Sequence, residues 1–173
     1  THQNDIRDFL RTGIFGPIRL GMTKTQVLCL LGKPQMWGGF LPWRTEHQNT
    51  HIKSYKKHPI WVYDNMEFHF GDNEQKLFLI WCDHLDWLKG KGDVFCLNRW
   101  VFKANPLKIE QVERELQEEN INYTHQKLEY SGKLVTSGGV DIHYDYEDLA
   151  VCAIGRYDGS FIGAPDCLSQ ETT

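Results

Sequence analysis

Two short segments carry the same pair of chemically useful side chains. Glu67-x-His69 lies within Met66–Phe70, and Asp141-x-His143 lies within Val140–Tyr144. Residues two apart on a strand point to one face, so each segment presents a carboxylate beside an imidazole. Glu67, His69, Asp141 and His143 together offer ligand types suited to zinc, or a general acid and base. The same residues also suit the outward side of half-buried strands, where polar groups belong. Cys82-Asp83-His84 sets a thiol near an imidazole, but reactive pairs are assembled by the fold. A thiol that ends an apolar strand reads as core. No serine sits in Gly-x-Ser-x-Gly, and Gly13-x-x-Gly16 and Gly90-Lys91-Gly92 are loop punctuation rather than phosphate-binding loops. The chain is therefore expected to have no catalytic residues and no cofactor, with a metal-dependent enzyme built on the four acid/His residues as the alternative.

Binding is the stronger expectation, because aromatic residues make up 13% of the chain. Trp37, Trp43, Trp87 and Trp100 fall outside the cleanly alternating segments. Exposed Trp is a favoured interface anchor, since it buries a large area with few rotors. These four, with Glu67, His69, Asp141 and His143, form the expected partner-binding set. The partner is expected to be another protein. Nineteen basic against 23 acidic residues, a net charge of −4 and no basic run give no phosphate footprint for nucleic acid. Acidic side chains on a binding face would instead steer a basic partner. The stretch from His47 to His58, with Lys53, Lys56 and Lys57, reads as a solvated loop.

No run is apolar for long enough to span a bilayer. Thr1-His2-Gln3-Asn4-Asp5 has neither a basic nor an apolar leader pattern. Five cysteines (Cys29, Cys82, Cys96, Cys152 and Cys167) without a Cys-x-x-Cys do not form a disulfide framework. The expectation is a reduced, cytoplasmic protein; a secreted or periplasmic one is the alternative if a signal was removed upstream of Thr1.

Positioning these residues requires helices behind a sheet. Asn4 caps a predicted helix running to Arg11, with Gly13 at its left-handed stop. Thr23-x-x-Gln26 is a capping box, opening a helix that Gly32 and Pro34 end. Ile60–Asp64, Met66–Phe70 and Leu77–Cys82 read as strands. The last is apolar throughout, which suits burial on both faces or an exposed adhesive face. Asn105-Pro106 opens a third predicted helix, with Ile109, Val112, Leu116 and Ile121 as its stripe. Tyr123–Tyr130, Lys133–Thr136, Val140–Tyr144 and Leu149–Ile154 follow as strands. Gln26-Val27 and Leu31 overlay Gln111-Val112 and Leu116; Met66–Phe70 overlays Val140–Tyr144; Leu77 overlays Leu149. The expected class is α+β: a helix-helix-three-strand unit over 1–88 and a diverged helix-plus-sheet unit over 89–173 sharing its core or sheet, with helices packed on one face of antiparallel sheet.

Ile18-Arg19-x-Gly21-Met22-Thr23-x-x-Gln26-Val27, followed by Leu31-Gly32-x-Pro34, resembles the opening of the SmpA/OmlA (BamE-like) domain. The likeness continues through Trp61, Tyr63, Phe68-x-Phe70 and Leu77-x-x-Ile80, about half of the chain. It implies two helices on a three-stranded antiparallel sheet. Two such units in tandem resemble β-lactamase inhibitor protein-like folds, whose joined sheets offer an aromatic face to a partner protein. The resemblance therefore implies a small bacterial inhibitor or immunity protein that binds through an open sheet face.

Overall fold

Alternation of buried and outward side chains builds most of this protein. The computed structural model describes residues 1–38, 55–71 and 76–162. In chain order the elements are β1 (His2–Asp5), α1 (Ile6–Thr12), α2 (Lys24–Leu31), β2 (Met36–Trp37), β3 (Ile60–Tyr63), β4 (Met66–Phe70), β5 (Leu77–Cys82), β6 (Phe95–Asn98), α3 (Ile109–Glu118), β7 (Tyr123–Lys127), β8 (Ser131–Thr136), β9 (Val140–Asp145) and β10 (Val151–Tyr157). Eight strands form one antiparallel sheet in the order β2-β3-β4-β5-β10-β9-β8-β7, and β1 and β6 form a separate parallel pair. The fold is α+β. One sheet face, with Trp61, Tyr63, Phe68, Ile80, Ile142 and Ile154, is buried against Phe9 and Leu10 of α1, Val27 of α2, and Val112 and Leu116 of α3. No described helix is long and apolar enough to cross a membrane.

The strands on either side of the central β5–β10 pair keep one register. Val62, Glu67 and Trp81 are opposite one another across β3, β4 and β5; Val135, Asp141 and Gly155 are so across β8, β9 and β10. Each side slips once at the same place, leaving Phe78 extra in β5 and Cys152 extra in β10. The two helices behind them start alike: the Gln26 and Gln111 side chains each accept the backbone N–H three residues earlier, from Thr23 and Lys108. Leu77 donates its N–H to the Met22 carbonyl as Val151 does to that of Leu107. Leu77 thus lines up with Val151, not with Leu149.

Two predicted details change for non-local reasons. Asn4 is drawn into β1 opposite Leu97, so Asp5 caps α1, accepting from the Arg7 N–H. Leu107 is held by Val151, which delays α3 to Ile109 and leaves Pro106 outside it. The short strands β1, β2 and β6 have no period long enough to read in sequence.

Two polar clamps tie distant segments together. Arg7 joins Asp5 (2.6 Å) to Glu119 (2.9 Å), and Arg11 reaches the same Glu119 carboxylate (2.6 Å), so α1 is fastened to the end of α3. Asp64, in the left-handed turn between β3 and β4 (φ 48°), accepts the backbone N–H groups of Asp93, Val94 and Phe95. Gly92 allows this approach, because a Cβ there would lie 2.3 Å from the Asp64 carboxyl carbon. Burial alone would raise the Asp64 carboxyl, but the N–H groups of Phe95 and Val94, the Gln35 amide and the Asp93 N–H outweigh it and hold it below its ordinary value. A depressed folded value stabilises above the unfolded carboxylate range and is lost as pH falls through the folded one. Replacing Asp64→Asn should cost about 1–3 kcal/mol at pH 7 in urea unfolding, and the gap from wild type should close as pH falls through the depressed folded value of the carboxyl. A gap that persists in acid would show that the charge of Asp64 is not what holds the 93–95 segment.

Candidate functional site

Antiparallel sheets commonly bury one face and leave the other toward water. Here the helices take one face, and the other carries a row that crosses the sheet through Val62, Glu67, Trp81, Gly155, Asp141 and Val135. Trp81 is at its centre, where β5 meets β10. A Cβ at Gly155 would come within 2.4 Å of Trp81 Cε3, so the indole lies over a position that only glycine leaves flat. The His143 ring meets the indole edge-on at 5.2 Å and 70°. Toward β4, Phe78 stands edge-on to Tyr157 at 6.1 Å and to His69 at 6.2 Å. Tyr157 is 57% exposed, and Phe78, Leu79 and Trp81 are half-buried. The result is a sheet face, away from the described helices, that carries two groups of ring contacts, Trp81 with His143 and Phe78 with Tyr157 and His69.

The two acid/His pairs flank this surface. His69 Nε2 is 2.7 Å from Glu67 Oε2. Asp141 Oδ2 receives Lys133 Nζ at 2.6 Å and lies 3.7 Å from His143 Nε2. Burial would raise the Asp141 carboxyl, but the His143 and Lys133 contacts outweigh it and keep it below its ordinary value. Strands β5 and β10 separate the pairs, which at strand spacing puts them about 14 Å apart. Among the described residues no three of His, Cys, Asp or Glu gather as a metal would need. The four side chains therefore act as two separate pairs and do not surround one ion. Asp141 is paired with the Lys133 ammonium, whereas Glu67 has the His69 ring beside it.

The tryptophans singled out in the sequence take different places. Trp37 packs against the core edge, 5.9 Å from Tyr55, with the Lys33 ammonium 5.3 Å from its ring centre. Trp100 also packs partly buried against the core, in a left-handed conformation (φ 48°). Neither joins the aromatic surface around Trp81; both cover core edges, because their neighbours in the fold are apolar. Trp87 is 57% exposed and stacks on His84 at 5.0 Å. Trp43, with His47 and His51, lies outside the described residues. Cys82 is fully buried, and burial pushes its thiol up to about 12, the opposite of what a nucleophile needs. Cys29, Cys96 and Cys152 are free as well.

Trp81, Phe78, Leu79 and Tyr157 were not singled out by the sequence reading. Two signals pointed to them: β5 is apolar on both faces, and β10 carries a glycine in mid-strand. No family model matches the chain, and no curated protein or solved structure matches it.

Gly155→Ala should destabilise the protein by about 1–3 kcal/mol, because the new methyl group overlaps the indole (2.4 Å) and also crowds the Ile80 backbone carbonyl (2.6 Å), of which only the first is relieved by removing the indole. The cost should shrink in a Trp81→Ala background, as a double-mutant cycle in urea would measure. Additive costs would mean that the indole does not rest on Gly155.

Proposed function

We propose that this chain is a non-catalytic protein-binding module made of two helix-plus-sheet units in tandem, each of the SmpA/OmlA (BamE-like) kind. The common register on both sides of the β5–β10 seam, the slip repeated at Phe78 and Cys152, and the equivalent bonds from Leu77 and Val151 support a repeated unit. Units of 1–88 and 89–173 then share one sheet and one core. A small bacterial inhibitor or immunity protein is the most concrete role of this kind.

One observation carries the binding role. A tryptophan is held in the middle of the sheet face that the described helices leave open, over glycine and with an aromatic neighbour. Apolar surface of this kind is rarely left on a protein without a use. Adhesion here rests on area and ring contacts and not on net charge, so it should survive moderate salt.

The test is affinity capture from the native host's lysate with wild-type chain and with Trp81→Ala, at low and moderate salt. A stoichiometric protein partner should be retained by wild type at both salts. Its affinity should fall about 30-fold or more with Trp81→Ala, a hot-spot loss of about 2 kcal/mol. A partner held equally by Trp81→Ala would place the interface elsewhere. Recovery of no stoichiometric partner under any condition would remove the binding role.

A further inference from the structure

We infer that the corner where β2 meets β3 binds an acidic polypeptide segment through lysines held over aromatic rings. The corner is on the helix side of the sheet, where Trp61 is buried, and the inference does not rest on the role proposed for the Trp81 face. Trp37, Tyr55, Trp61 and Phe70 follow one another with ring centres 5.9, 5.6 and 4.9 Å apart. The Lys33 ammonium lies 5.3 Å from the Trp37 ring centre and 5.8 Å from that of Tyr55. The Lys24 ammonium lies 5.7 Å from the Trp61 ring centre and 5.6 Å from that of Phe70, and it donates to the Lys56 carbonyl at 3.0 Å. That bond sets Lys24 against the helical turn Tyr55–Lys57, whose Lys56 and Lys57 are exposed. Four cations thus gather at one corner of a chain whose net charge is −4. Among the described residues no ion pair engages Lys33, Lys56 or Lys57. Ring contacts order the flexible lysine stems, so less freedom is lost when an anion binds.

The arrangement selects the anion. Among the described residues no ring is shared between the Lys24 and Lys33 ammoniums, so the two do not converge on one phosphate or one carboxylate. They suit several carboxylates carried along a chain, since side chains two apart on an extended segment share a face about 7 Å apart. The cations are all lysines, point charges that demand no planar or bidentate partner. Single-stranded nucleic acid would need open ring faces for its bases. Trp61 and Phe70 are buried, however, and Lys33 sits over Trp37 and Tyr55. A duplex presents a charge about every 1.7 Å and would meet a chain that is acidic overall. Sequence spacing hides the cluster, because Lys24 and Lys56 are 32 positions apart and meet only when α2 packs beside β3.

The experiment is an amide and indole NMR titration of the full chain with hexaglutamate, hexaglutamine and a thymidine hexanucleotide. Hexaglutamate should give saturable shifts at the Trp37 indole and at the Lys33 and Lys57 amides, and hexaglutamine none. Its affinity should fall severalfold between about 0.01 M and about 0.15 M salt, as the screening length drops from about 30 Å to about 8 Å. Replacing Lys33→Gln, Lys56→Gln and Lys57→Gln together should weaken hexaglutamate by about two- to fivefold per lysine. Lys89→Gln, Lys103→Gln and Lys127→Gln together remove the same charge from exposed positions elsewhere and should leave the affinity unchanged. Absence of saturable shifts at the corner, equal losses in the two triple variants, or a hexanucleotide bound as tightly as hexaglutamate would each overturn the inference. The titration uses no partner protein and no residue of the Trp81 face, so its result is independent of the capture experiment.

Discussion

The pairing of β5 with β10 is the constraint on which the rest of the structure depends. Leu79 to Cys82 lie antiparallel to Ile154 to Tyr157, and this seam turns two groups of four strands into one eight-stranded sheet. The described residues supply three short helices for it. They gather on one face, where β5 and β10 send Ile80, Cys82 and Ile154 into the core. The other face is left to the alternate residues, and at the seam these are Trp81 and Gly155. The same pairing that closes the core therefore puts Trp81 and Gly155 side by side on the opposite face.

That surface is uneven in a way that matters. The acid-x-His pattern occurs on both β4 and β9, and in each copy the carboxylate is matched by a neighbour. The neighbours differ: a lysine ammonium bonds Asp141, whereas an imidazole bonds Glu67. Apolar side chains concentrate on the first half, at Ile60, Phe78, Leu79 and Trp81, whereas Lys133, Ala153 and Gly155 take the corresponding register positions of Ile60, Leu79 and Trp81 in the second. A partner engaged here meets rings and aliphatic walls on one side and a level, polar strand surface on the other. Clamps far from the face keep it rigid: Asp64 holds the chain that crosses between the halves, and Arg7 and Arg11 hold α1 to the end of α3.

Much of this architecture is visible in local pattern. Thr23 and Gln26 announce a capping box that forms as read, and Gly13 ends α1 in the left-handed conformation. Met66–Phe70 and Leu77–Cys82 are strands over the residues predicted. Their alternation has a local cause, because a half-buried strand needs a period of two whatever it pairs with. Errors occur where distant chain intervenes. Asn4 has the chemistry of a cap but pairs with β6, and Leu107 is taken by β10 before α3 can begin. The site was partly legible. Acid-x-His spacing correctly put Glu67 with His69 and Asp141 with His143, because two residues on one strand share a face.

Residue spacing alone, then, settled which side chains stand side by side on a strand, where two helices start or stop, and that the chain is α+β, since each depends on backbone periods and short-range hydrogen bonds. Whether the two acid/His pairs meet, which tryptophan lies at the centre of the sheet, and what lies over Gly155 were decided by strand order. No period encodes that β5 lies against β10 with the pairs on strands beyond them. That neighbour relation joins residues more than seventy positions apart, and only the folded sheet sets it.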